Sequence, residues 1–195
     1  MYKKQMTAQR VICLLSIIAS AIVFLYSLGL MTDLYDSLYP TMMNPADLTE
    51  TDVPGSIIYY DMQGFNRTLL KVSIGLILAS VLLFVTNTQV RRKYYIGNYF
   101  AVIVNVAANV CTAIWAHGQL EMFKAQFLQI DFDALQFFVD LWETPYIDST
   151  FWFDAHYVVF ALTLCVSLLL VLNVFWKIGL MNGEKKLLRQ GKAVS

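Results

Sequence analysis

The sequence predicts an all-α membrane protein with four transmembrane helices. Four long runs lack any charge: Val11 to Thr32, Val72 to Val90, Tyr94 to Leu120 and Ala155 to Trp176. About 20 helical residues cross the hydrocarbon of a bilayer, so each run is long enough or nearly so. The cations supply a second observation. Eleven of the fourteen Lys and Arg residues fall in three short segments: Lys3, Lys4 and Arg10; Arg91, Arg92 and Lys93; and Lys177, Lys185, Lys186, Arg189 and Lys192. Thirteen of the fourteen acids fall in the two segments between them. Lys and Arg in short loops stay on the cytoplasmic side. All three basic segments can do so only if the chain crosses four times. That puts both termini inside and two acidic loops outside.

The predicted spans cover about 11–32, 70–90, 94–118 and 155–177, in a single four-helix domain. The predicted outer loops cover about 33–69 and 119–154. Helix is the expected form of each span because it satisfies every backbone group within the segment. Rings gather at the predicted boundaries, where amphipathic side chains settle: Tyr35, Tyr39, Tyr94, Tyr95, Tyr99, Trp115, Trp152 and Trp176. Arg91-Arg92-Lys93 alone joins the second and third spans, which predicts a tight antiparallel hairpin. Lys3 to Arg10 also fits the n-region of a signal peptide, with cleavage after Ser27-Leu28-Gly29. The apolar stretch exceeds the usual h-region of 7 to 15 residues, which favours an uncleaved span.

Only 14% of the chain is charged, against about 25% in soluble domains. Each basic segment lies beside a span end, where anionic lipid is the expected partner and nucleic acid is not. Cys13, Cys111 and Cys165 all lie in apolar runs, so the outer loops carry no disulfide framework; the expectation is three buried small side chains.

Apolar surface does not hold helices together in lipid; small and polar residues do. The third span carries Ala108, Thr112 and Ala116 at four-residue spacing. The second carries Gly75 and Ala79, and the first Ser16 and Ser20. Asn98, Asn105 and Asn109 fall near one face of the third span. Their structural reading is hydrogen bonding between helices. Their functional reading is the wall of a solute pathway.

In the first outer loop, Ser56 to Tyr60 is open between a short strand and an interfacial patch. Asn66-Arg67-Thr68 matches the glycosylation triplet but lies close to the bilayer. The second outer loop is unusually aromatic. Asp133 is expected to cap a short helix presenting Leu135, Phe138, Val139 and Trp142. Rings in such number must bury against the bilayer, the first loop or a partner. Phe127, Phe138, Trp142, Tyr146 and Trp152 are the candidate partner-binding residues.

One constellation suggests chemistry. His117 and His156 fall at similar depth near the outer ends of spans three and four, with Glu121 and Asp154 close by. Two imidazoles and two carboxylates suit a divalent ion such as Zn or Fe. The spacings match no short metal motif, and boundary histidines commonly just face interfacial water. The sequence has no GxSxG, P-loop, GxGxxG or CxxC, and no organic cofactor is implied. The layout of four spans and two outer loops resembles tetraspanin-like and claudin-like proteins in topology alone. Without a Cys-Cys-Gly triplet or an outer Trp with paired cysteines, it carries no function across.

The expected function is therefore non-enzymatic. It is that of a small integral accessory or structural subunit of the plasma membrane presenting acidic, aromatic outer loops to a partner membrane complex, a transporter among the candidates, or to further copies of itself. A solute channel lined by the Asn stripe and a metal-dependent enzyme at the two histidines are the alternatives.

Overall fold

The computed structural model describes residues 2–34, 55–88, 96–136 and 147–193. Among these, the long elements are α1 (Tyr2–Asp33), α2 (Ile58–Asn87), α3 (Ile96–Phe127) and α4 (Phe151–Ala193). No described residue is in a strand. Each helix contains a stretch long and apolar enough to cross a membrane.

The helices overrun the predicted spans. The predicted loop 33–69 yields residues 58–69 to α2, and the predicted loop 119–154 yields its two ends to α3 and α4. Charge ends a run that lipid accepts, but it does not end a helix. Asp61, Arg67 and Lys71 simply take exposed positions on α2. Ile58 to Tyr60 is therefore helical. Asn66 is fully buried, which removes it as a glycosylation acceptor. In the second loop the capping residue is Asp131 and not Asp133. Asp131 Oδ1 accepts from the Ala134 amide at 3.1 Å, opening a helical stretch over 132–136.

Burial recurs every seven residues. On α2, Tyr59, Asn66, Ser73, Ser80 and Asn87 are buried, as are Met62, Leu69, Leu76 and Leu83. On α1 and the residue after it the buried sets are Met6, Cys13, Ser20, Ser27 and Leu34, and Gln9, Ser16, Val23 and Leu30. On α4, His156, Thr163, Leu170 and Lys177 follow the same step. A seven-residue repeat keeps one seam facing its neighbours and is the pattern of left-handed helix packing. The seams are rich in Ser, Asn and Gln, as packing inside lipid requires.

The chain divides into two compact units, and every long helix contributes to both. The first comprises Met1–Ala21, Gly75–Cys111 and Ala161–Ser195. Its apolar centre takes one residue from each helix: Cys13, Leu83, Val102 and Leu170. Cys111 and Cys165 are exposed on their helices, contrary to the expectation of three buried cysteines.

The second unit comprises Ile22–Ile74 and Thr112–Phe160. Rings hold it together. Phe127 meets Tyr59 and Phe132 edge-on and Phe153 at a tilt, with centroid distances of 6.2, 5.3 and 4.9 Å. Phe65 meets Trp115 at 5.2 Å and Phe123 at 5.7 Å. The Trp152 ring lies directly over Gly29, where a Cβ would stand 2.1 Å from Cη2. Trp152 is fixed there twice. Its Nε1 donates to Asp33 Oδ2 at 2.8 Å, and its carbonyl accepts from Tyr26 Oη at 2.8 Å. Gly75, the glycine expected to admit a neighbouring backbone, has nothing within 4 Å of its Cβ direction. Gly55 sits at φ 83° against the backbone of Ile130, a turn that favours glycine.

Candidate functional site

The second unit brings His117, Glu121 and His156 together. His117 and Glu121 lie one helical turn apart on α3, so they share a face. His156 comes from the second turn of α4. Its Nε2 stands 2.9 Å from His117 Nδ1 and 3.8 Å from Glu121 Oε1. Three ligand atoms, one from each residue, lie within 4.8 Å of one another. His156 is buried, Glu121 half-buried and His117 exposed, so the cluster is rooted in the unit and open on one side.

The surrounding groups fix the orientation of two of the three. His156 Nδ1 donates to the carbonyl of Phe153, which leaves Nε2 as the bare nitrogen facing His117 and Glu121. A neutral His156 is an acceptor, so its contact with His117 is an N–H···N bond and its approach to Glu121 is not a salt bridge. Tyr157 Oη donates to Glu121 Oε1 at 2.6 Å and holds that carboxylate against α4.

Asp154 is not part of this cluster, contrary to the sequence-based expectation. Its Oδ1 pairs with Lys124 Nζ at 2.5 Å and its Oδ2 accepts from Thr150 Oγ1 at 2.7 Å. Residues two apart on a helix point to different sides, so Asp154 and His156 diverge. Lys124 is thereby neutralised close to the cluster, 6.0 Å from the centroid of Tyr157.

The Asn stripe lies in the first unit. Asn105 Oδ1 accepts from Ser16 Oγ at 3.2 Å and from Asn109 Nδ2 at 3.0 Å. Asn105 Nδ2 donates to Ser80 Oγ at 3.0 Å. Ser80 also shares hydrogen bonds with Ser16 at 3.0 Å and Ser20 at 2.9 Å. Five side chains from three helices thus close on one another. Asn98 joins a second network: its carbonyl accepts from Asn87 Nδ2 at 3.2 Å, and Asn87 accepts from Gln9. Gln5 bridges Gln9 and Asn173. This network lines a cavity of about 10 Å³, room for a single water.

Lys177 lines the same cavity. It is 3% exposed, with Nζ 5.3 Å from the Tyr99 ring centroid. Sequence reasoning placed it with the basic tail and missed it as an interior cation. Gln5, Gln9, Ser80 and Tyr157 were also missed. The seven-residue register was the available signal for Ser80, which falls in step with Tyr59, Asn66, Ser73 and Asn87.

Two of the candidate partner-binding residues pack within their own unit. Phe127 is fully buried among rings of its own unit, and Trp152 is half-buried against Gly29. Once α3 and α4 extend past the predicted span ends, both residues fall on helix faces that pack internally. Phe138, Trp142 and Tyr146 lie outside the described residues.

Four apolar helices of spanning length define the class: a multi-pass membrane protein. No family model matches the chain, and neither a curated protein nor a solved structure matches it.

Proposed function

We propose that the protein is a small, non-enzymatic subunit of the plasma membrane, with both termini cytoplasmic, that docks a membrane-protein partner through its outer end. The grouping of Lys and Arg into three segments supports this orientation. The observation that carries the functional reading is the closed polar interior. Asn105 is held by Ser16, Ser80 and Asn109, Asn109 Oδ1 alone in this cluster lacks a described partner, and the Asn98 network leaves room for about one water. An interior so filled is scaffolding, which leaves the surface as the working part. Candidate contacts at the ends of α3 and α4 are Leu128, 62% exposed, and Phe151, 61% exposed. They replace Phe127 and Trp152 in the partner reading.

Photo-crosslinkers at 128 and 151 test it in native membranes. The expected result is one discrete adduct from each, and none from position 164 within the apolar run of α4. A chain that purifies alone and monodisperse, without adducts, defeats the reading. The solute-pathway alternative has its own test. Asn105→Cys is expected to resist water-soluble thiol reagents in intact membranes, relative to a cysteine at 151. Rapid labelling at 105 would restore the pathway.

A further inference from the structure

We infer that His117, Glu121 and His156 form a binding site for one divalent first-row transition-metal ion. The inference goes beyond the docking function and does not depend on it.

The donor set defines the ion class. Two imidazoles and one carboxylate suit Zn(II) and its transition-metal neighbours, whereas Ca(II) and Mg(II) take oxygen ligands. The spacing fits one ion. Ligands at about 2.0–2.2 Å from a metal stand roughly 3–3.5 Å apart when adjacent and about 4.2 Å when opposed. The His117–His156 separation of 2.9 Å and the His156–Glu121 separation of 3.8 Å fall near or within that range. The outer limit of 4.8 Å for the remaining pair asks for a small side-chain adjustment. His117, exposed on the open side, is the one placed to make it.

The partners behind the ligands are an independent observation. A metal-binding histidine almost always gives its other N–H to a carbonyl, carboxylate or water, and ligating carboxylates are themselves hydrogen-bonded. His156 already does the first through the Phe153 carbonyl, and Glu121 the second through Tyr157. A bare Nε2 on a buried, pre-oriented imidazole is a ligand waiting for a cation. Loading requires His117 to exchange its Nδ1 proton for one at Nε2, so that Nδ1 of His117 and Nε2 of His156 both face the ion as neutral, unprotonated donors. Three protein ligands leave at least one position for water, the arrangement of an open and not a closed structural site.

The test uses full-length protein in detergent, stripped with chelator and titrated with Zn(II) against a chromophoric competitor. Ca(II) and Mg(II) serve as separate arms. The expected result is one Zn(II) per chain and no competition from Ca(II) or Mg(II). Tyr157→Phe is expected to weaken Zn(II) about 10–100-fold, the usual effect of removing such a support. His117→Ala, at an exposed position that tolerates truncation, and Glu121→Gln are expected to lose at least as much. Asp154→Asn is expected to stay near wild type. Wild-type protein that holds no stoichiometric Zn(II), or His117→Ala that binds like wild type, overturns the inference. Because binding is read on the isolated chain, its failure leaves the docking reading intact, and failed docking leaves this one intact.

Discussion

Gly29→Ala is expected to destabilise the protein by about 2 kcal/mol, while Gly75→Ala leaves it unchanged or slightly more stable. The two substitutions are chemically identical. Each gains up to about 1 kcal/mol of helix propensity. They differ in what the new methyl meets. At Gly75 nothing lies within 4 Å; at Gly29 three atoms of the Trp152 ring lie at 2.1, 2.6 and 2.7 Å. The ring cannot yield freely, because the Asp33 carboxylate holds its N–H and Tyr26 holds its backbone carbonyl. Overpacking of this kind costs about 1–3 kcal/mol, and a ring pinned at both ends belongs at the upper end. Subtracting the propensity gain leaves the expected net loss. Unfolding in mixed micelles, followed by helical signal, measures both variants. The double variant Gly29→Ala, Trp152→Ala is expected to be no worse than Trp152→Ala alone. If Gly29→Ala matches Gly75→Ala, the close approach is not a feature of the folded protein.

Much of this arrangement was legible before any coordinates. The four apolar runs gave the helices, and counting from their ends put His117 and His156 at one depth. The stripe of Asn98, Asn105 and Asn109 was visible because three amides in an apolar run stand out. What escaped has physical causes. Charge marks the ends of the apolar runs, yet charges ride on α2, α3 and α4 without ending those helices. A boundary taken from charge turns Phe127 and Trp152 into loop residues with outward rings. Lys177 directly follows the last apolar run, which places it with the cationic tail in the sequence. Its register with His156, Thr163 and Leu170 turns it inward instead. Asp154 lies two residues from His156, but a two-residue step on a helix separates side chains by more than half a turn. The Gly29–Trp152 contact joins residues far apart in sequence, and no local pattern announces it.

Asn105→Leu is the substitution that weighs the polar interior against the lipid-like solvent around it. Asn105 has three hydrogen-bonding partners, Ser16, Ser80 and Asn109. Interhelical bonds of this type are worth about 0.6 kcal/mol on average and up to about 1.7. Losing the two interhelical bonds to Ser16 and Ser80, together with the bond to Asn109 on the same helix, gives an expected loss of about 1–2 kcal/mol. Asn109→Leu is expected to behave differently. Its single described bond is the one to Asn105, and its buried Oδ1 accepts from no described group. Removing an amide with an unsatisfied oxygen returns part of the desolvation penalty, so the change is expected near zero or slightly stabilising. A double-mutant cycle between Asn105→Leu and Ser80→Ala should give a coupling of about 0.5–1 kcal/mol, since the two share a direct bond. The ordering carries the argument. A scaffold role ranks Asn105 above Asn109 in stability. Equal effects at 105 and 109 would mean that the amides act through a shared hydrated space and not through their bonds to Ser16 and Ser80.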